Sequence, residues 1–173
     1  MKIPTAAFLA LLLAGPAAAQ PENPAVAGQR ALYDQVKNWL LLSAQQMPEA
    51  DFAFRPTPEV RTFGQLIGHV ANAQYMFCSV ALGEQSPSSA NAEQLTSKAE
   101  LIRALQASHA YCDRAFQITD ATALQAASVF GQQQTRLFAL SFNVAHDMEH
   151  YGNIVTYMRM KGMVPPSSAG GGQ

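Results

Sequence analysis

His146 and His150 are four residues apart in a segment that otherwise has the pattern of a helix. On a helix, residues at this spacing project from one face, about 6 Å apart. Two neutral imidazoles presented in this way can bind one metal ion. Nitrogen ligands suit zinc or nickel and argue against calcium or magnesium, which prefer oxygen. The pair therefore predicts a zinc or nickel site on this helix.

A third histidine, His69, lies at the border between the apolar and polar faces of another helical segment. His146 and His150 hold the same kind of border position, which excludes some water and still accommodates a cation. If the fold brings the two helix edges together, the three imidazoles form a ligand set with coordination positions left open, as in catalytic zinc sites. Spacing alone leaves the alternative that each histidine is an ordinary structural residue.

The residues between the histidine pair do not identify a catalytic group. Residues 146–150 are His-Asp-Met-Glu-His, which differs from His-Glu-x-x-His, so the intervening general base of that motif is missing. Asp147 and Glu149 are only candidates for such a base. The catalytic residues therefore stay unassigned.

Composition and motifs disfavour several other functions. Eleven basic and twelve acidic residues give a net charge of -1, whereas a protein that binds nucleic acid by neutralising phosphates needs a basic excess. The sequence contains no nucleophilic serine motif, phosphate-binding glycine loop or dinucleotide fingerprint.

His109 is interpreted as structural or exposed. Arg61 is interpreted as a packing or capping residue, or as a tether for an acidic partner or for the loop above the site.

The chain of 173 residues, 49% of them apolar, is sufficient for one core and divides into four helical segments. Capping residues and helix-breaking residues set the limits of these segments. The segments run from Pro24 to Pro48, from Thr62 to Gly83 with a Thr62/Gln65 capping box, from Thr96 or Ser97 onward, and from Thr135 to Lys161. These segments predict an all-α, antiparallel four-helix bundle over residues 24–166. A disordered tail is expected at 167–173.

The stretch from Thr119 to Gln132 is ambiguous. Residues 121–127 would make a short helix, and Gly131 breaks it. Residues 128–130 give the single hint of a strand. The sequence therefore leaves the structure between the third and last long helices open.

Residues 1–19 have the pattern of a signal peptide. A positive start at Lys2 precedes an apolar run over 6–14, a helix break at 15–16 and small residues at 17–19. The run is shorter than the roughly 20 residues that span a bilayer. We therefore predict a secreted or periplasmic protein without a stable membrane anchor, beginning near Gln20. The alternative is an uncleaved amphipathic start of the first helix.

Cys78 and Cys112 are expected to form a disulfide, because exported compartments are oxidising. They fall inside the second and third helices. Cys78 lies nearly opposite His69 around its helix, which frees it from the metal site and lets it face the third helix. The alternative is two buried free thiols.

Several short motifs follow one another along the chain: Pro48-Glu49, Phe54-Arg55-Pro56, Val60 to Gly64, His69-Val70-Ala71, His146 to Gly152, Thr156 to Arg159 and Gly162 to Ser168. Taken in order, over roughly residues 31–168, they resemble the DinB-like (damage-inducible) superfamily of metal-binding four-helix bundles. In that family one histidine on the second helix and two on the fourth hold a divalent ion, nickel or zinc. By position, the resemblance implies His69, His146 and His150 as the metal ligands.

The resemblance does not fix the reaction, because the family includes thiol-dependent transferases or isomerases, assigned hydrolases and members without known activity. Export disfavours a thiol-dependent reaction, since small reduced thiols are scarce outside the cytoplasm. We predict a metal-dependent hydrolase or transferase acting on an unknown small-molecule substrate. One alternative is a non-catalytic metal- or ligand-binding stress-response protein. Another is a bundle with relic histidines that acts by association, and an apolar strip beside the first helix would fit a homodimer.

Overall fold

The computed structural model describes residues 22–169, so the predicted signal peptide at 1–19 lies outside the described residues. The elements in chain order are α1 (Pro24–Gln46), a 3₁₀ turn (Glu49–Asp51), α2 (Phe63–Leu82), a second 3₁₀ turn (Ala92–Gln94), α3 (Lys98–Ala115), α4 (Asp120–Ala123), β1 (Ala126–Val129), β2 (Gln132–Thr135), α5 (Arg136–Met160) and α6 (Pro166–Ala169). The predicted all-α, four-helix bundle is confirmed, and its helices are α1, α2, α3 and α5.

Helix α2 packs against both α3 and α5, while α1 packs against α5 and α3. Apolar side chains from these helices fill two core clusters, one including Phe77 and Leu140 and the other including Ile67 and Ile154. Both clusters therefore contain residues of α2 and of α5. The two helices that bear His69, His146 and His150 are thus fixed against each other along their length.

The helix ends follow the predicted capping chemistry. The Oγ1 of Thr62 accepts the backbone N–H of Gln65 at 3.1 Å, and the Gln65 side chain accepts the Thr62 N–H at 2.9 Å. Gly83 ends α2 with a φ of 73°, a left-handed conformation that suits glycine. The side chain of Thr135 caps α5, and Ser97, of the two predicted candidates, caps α3.

The ambiguous stretch contains a β-hairpin that the sequence pattern only hinted at. The expected short helix is limited to Asp120–Ala123, and the chain then pairs β1 with β2 in antiparallel register. Phe130 and Gly131 form the two-residue turn, with φ values of 51° and 74°. Two positive φ values are the requirement of a type I′ turn, which usually has Asn-Gly at these positions. Because the first position is phenylalanine, the sequence pattern did not indicate this turn.

The predicted disulfide between Cys78 and Cys112 is present, with the two Cα atoms 5.3 Å apart. It joins α2 to α3 across the core, where both cysteines are fully buried. The bridge therefore links two helices that already pack closely.

The expected disorder after residue 166 is wrong for residues 167–169, which belong to α6. The backbone N–H of Ser167 donates to the Tyr151 hydroxyl at 2.9 Å, and Arg159 donates to the Ser168 hydroxyl at 3.0 Å. These bonds hold the segment on α5. Residues 170–173 lie outside the described residues.

Within residues 22–169, every helix is too short or too polar to cross a membrane.

Candidate metal centre

The three predicted histidines meet at one point between α2 and α5. The Nε2 of His146 lies 3.2 Å from the Nε2 of His69 and 3.1 Å from the Nε2 of His150. Ligand nitrogens of the three side chains all lie within 4.8 Å of one another. Around an ion with nitrogen ligands at about 2.0–2.1 Å, octahedral or tetrahedral angles place neighbouring nitrogens about 2.8–3.4 Å apart. The observed separations match that range, so the cluster has the dimensions of a three-histidine metal site.

A carboxylate that the sequence analysis missed orients the first histidine. Glu93, in the second 3₁₀ turn, has its Oε1 2.8 Å from the Nδ1 of His69. A carboxylate at this position keeps the proton on Nδ1 and leaves the Nε2 lone pair directed at the other two histidines. Arg61 donates from its Nε to the Oε2 of Glu93 at 2.9 Å. Arg61 is therefore a tether, as one of its two interpretations predicted, and its partner is Glu93.

The charge of Glu93 is stabilised by these contacts. Partial burial raises the pKa of Glu93, but hydrogen bonds from Arg61 and His69 outweigh it and leave the pKa below the ordinary value. Glu93 is therefore ionised at neutral pH. It adds the negative charge that three neutral imidazoles lack.

The 3₁₀ turn that contains Glu93 packs directly against α2, because residue 68 of this helix is glycine. A Cβ on Gly68 would lie 2.7 Å from the backbone nitrogen of Glu93, well inside contact distance. Asn72 anchors the same turn, since its Oδ1 accepts the Ala92 N–H at 2.9 Å and its Nδ2 donates to Asn91 at 2.8 Å. A glycine before His69 and an asparagine three residues after it thus place Glu93.

The other two histidines have different surroundings. The Nδ1 of His150 lies 3.4 Å from the side-chain amide of Asn153, whose oxygen can accept a hydrogen bond from the Nδ1–H in the alternative amide orientation. The Nδ1 of His146 is buried and has no partner within residues 22–169. The ring of Phe77 lies edge-on to the His146 ring, with the centroids 5.7 Å apart. His146 is therefore held by packing more than by hydrogen bonding.

Burial keeps His146 and His150 uncharged. It lowers the pKa of His146 to about 4, with the neighbouring His150 and His69 acting in the same direction. Burial also lowers the pKa of His150. Neutral imidazoles are the form that binds metal. Both side chains are thus in their ligating protonation state at neutral pH.

A cleft of about 750 Å³ lies beside the cluster. Its walls come from the loop before α2, the start of α2, the second 3₁₀ turn and α5, and they include Arg61, Glu93, Glu149, His150 and Tyr157. The hydroxyl of Tyr157 donates to the backbone oxygen of Arg61 at 2.6 Å, which ties the loop to α5. The cleft is large enough for a small molecule.

The two candidate general bases, Asp147 and Glu149, lie in different surroundings. Asp147 is fully buried, and its carboxylate accepts from Gln74 and Asn143 in the interior of the bundle. It is therefore wrong as a candidate base, because it cannot reach a molecule in the cleft. Glu149 is exposed and lines the cleft one residue before His150.

His109 is a structural residue, as one of its two interpretations predicted. It is 5% exposed on α3, and its backbone oxygen accepts the hydroxyl of Tyr33 at 3.1 Å. Burial, with Lys37 adding to the effect, lowers the pKa of His109 to about 3. It belongs to neither the cluster nor the cleft wall.

The chain is therefore a helical bundle in which three histidines converge from the second and last long helices, a group that could hold a metal ion. The sequence profile of the DinB superfamily matches residues 31–154, and the chain belongs to that superfamily. Comparison with proteins of curated function gives no match.

Two solved structures resemble the chain. A DinB-like protein from Bacillus cereus is 15% identical with a TM-score of 0.71, covering 81% of this chain and 95% of its own. A DinB-like protein from Bacillus subtilis is 16% identical with a TM-score of 0.62, covering 79% of this chain and 93% of its own. At these identities the likeness establishes the fold. Any functional argument depends on the site of this chain.

Proposed function

We propose that the protein is an exported metal-dependent hydrolase or transferase whose ion, zinc or nickel, binds to His69, His146 and His150. The observation that supports the proposal most directly is the convergence of the three Nε2 atoms at separations of 3.1 and 3.2 Å. The orientation of His69 by an ionised carboxylate adds to it, because metal-binding histidines commonly have such a partner.

A divalent ion bound there would supply Lewis acidity or a water of lowered pKa. The residues of the chain supply orientation and proton transfer. Glu93 retains the proton of His69 on Nδ1, and Arg61 fixes the second oxygen of Glu93. Glu59 and Glu149 have exposed carboxylates on the cleft wall, and Glu149, next to His150, is the one we propose to exchange a proton with a bound small molecule.

Export is supported by two observations. The N-terminal pattern is that of a signal peptide. Cys78 and Cys112 are bridged, as expected in an oxidising compartment. We infer a secreted or periplasmic location.

Elemental analysis of the chain purified without an affinity tag tests the ligand assignment. We expect about one zinc or nickel per chain, and loss of that metal in each of the variants His69→Ala, His146→Ala and His150→Ala. His109→Ala is the control and should retain the metal. Full metal in His69→Ala, or loss of metal in His109→Ala, would contradict the assignment. Turnover of an ester, amide or thiol-adduct substrate by the loaded protein then tests catalysis.

One observation favours the second candidate, a non-catalytic metal- or ligand-binding protein of the stress response. The carboxylate that contacts the cluster, Glu93, already has both oxygens engaged by His69 and Arg61. The other carboxylates on the cleft wall, Glu59 and Glu149, are both exposed. Stoichiometric metal without turnover of any substrate class would favour this candidate.

A further inference from the structure

A second polar cluster lies inside the bundle, apart from the cleft. The Oδ2 of Asp147 accepts the side-chain amides of Gln74 at 2.9 Å and of Asn143 at 3.2 Å. The Oε1 of Gln74 accepts the hydroxyl of Ser108 at 2.8 Å. All four side chains are fully buried. A row of four hydrogen-bonded polar side chains inside the core needs an explanation. Each buried polar group must have a hydrogen-bond partner, whereas apolar side chains need none.

This cluster joins the two helices that bear the histidines. Asp147 follows His146 directly and precedes His150 by three residues, while Gln74 follows His69 by five. Five residues correspond to about 7.5 Å along a helix axis. The bond between Gln74 and Asp147 therefore crosses from α2 to α5 within about one and a half turns of all three candidate ligands.

We propose that Gln74 and Asp147 are positioning residues that set the rotation and level of α5 against α2, and so direct His146 and His150 at His69. Apolar contacts have no preferred direction and tolerate sliding, whereas a hydrogen bond between two side chains does not. Moving α5 by one residue rotates it by about 100° and shifts it by about 1.5 Å. Such a shift would break the Gln74–Asp147 bond and leave buried polar groups unpaired, which is unfavourable. The role of these residues rests on the proposed metal site.

Cobalt(II) titration of the full chain tests the proposal, with absorption spectra recording both affinity and coordination geometry. Gln74→Leu removes the link to α5 and is expected to weaken cobalt binding at least about tenfold and to alter the spectrum. Ser108→Ala is the matched control, since it removes the bond between Ser108 and Gln74 in the same cluster and leaves the link intact. It should bind cobalt like the wild type.

The conservative variant Asp147→Asn keeps an acceptor oxygen for both amides and should restore most of the affinity that Asp147→Leu loses. Circular dichroism of each variant verifies that the helices remain folded. Wild-type affinity and spectrum in Gln74→Leu, or an equal loss in Ser108→Ala, would overturn the proposal.

A metal-free measurement separates this proposal from the metal site itself. The His69 and His146 ring centroids are 5.1 Å apart, which is close enough for proton–proton NOEs between the rings. We expect these NOEs in the wild type and in Ser108→Ala, and their loss in Gln74→Leu. If the wild type binds no cobalt, the proposed function fails, and the NOEs still decide whether Gln74 positions α5. Retention of the NOEs in Gln74→Leu would refute the positioning role.

Discussion

The Oε1 of Glu93 lies 2.8 Å from the Nδ1 of His69, although the two residues belong to different elements and are 24 positions apart. This contact gives His69 a fixed tautomer. It also connects the histidine cluster to the cleft, because Glu93 lines the cleft wall and binds Arg61. The candidate metal centre is therefore larger than its three ligands.

Replacing Glu93 tests this connection. We expect Glu93→Gln to reduce metal affinity about tenfold, because loss of a histidine's hydrogen-bonding partner typically costs 10- to 100-fold. A competition titration with a chromophoric chelator measures the change. Glu84→Gln is the matched control, since Glu84 pairs with Arg114 and does not line the cleft. An equal effect of both substitutions would show that general charge, and not the His69 contact, matters.

The close approach of the Glu93 turn to α2 makes a second prediction. Gly68→Ala places a Cβ 2.7 Å from the Glu93 nitrogen, so the turn must move away from His69. We expect a loss of about 1–3 kcal/mol in the free energy of unfolding, together with weaker metal binding. Gly152→Ala on α5, where a Cβ meets nothing within 4 Å, should instead be neutral or slightly stabilising. Urea unfolding and metal titration of both variants give the comparison, and unchanged metal binding in Gly68→Ala would contradict this account of the turn.

Acid should destabilise the fold through His109. Its pKa is about 3 in the folded chain and ordinarily 6.5, so between these values the unfolded chain binds a proton that the folded chain excludes. Stability is thus fully present above about pH 6.5 and falls as the pH drops, by about 1.4 kcal/mol per unit. In His109→Gln this contribution is absent. Urea unfolding of both proteins from pH 7 to pH 4 should show a steeper loss of stability in the wild type, and parallel curves would refute the prediction.

The disulfide should contribute strongly to stability. Its loop spans 34 residues, for which chain entropy gives about 3–4 kcal/mol. The double variant Cys78→Ala/Cys112→Ala is expected to lose this amount, and reduction of the wild type should have a similar effect. The variant itself should not respond to reductant. Two titratable thiols in the unfolded, unreduced wild type would mean that no bridge forms.

The proposed export has a direct measurement. N-terminal sequencing of protein recovered from outside the cytoplasm should begin at or near Gln20, after the small residues at 17–19. Material that begins at Met1 would exclude cleavage of a signal peptide.

The long helices could be predicted from the sequence because their determinants are local. The Thr62/Gln65 capping box, Gly83 and the caps at Ser97 and Thr135 act within a few residues, and the structure places the helix ends at them. The pair His146 and His150 was predictable for the same reason, since four residues on one helix fix their common face.

Tertiary packing decided the rest. No spacing rule connects Glu93 in a turn with His69 on a helix, or Gln74 with Asp147, because each pair is formed by segments far apart in the chain. The hairpin could not be predicted from the sequence because its turn contains Phe130. This residue adopts a positive φ while its ring packs against Phe77 and Phe142. Asp147 and Glu149 are two residues apart and equally polar in sequence, yet one is buried and the other faces the cleft. Only the packing of α5 against α2 determines which of the two carboxylates meets solvent.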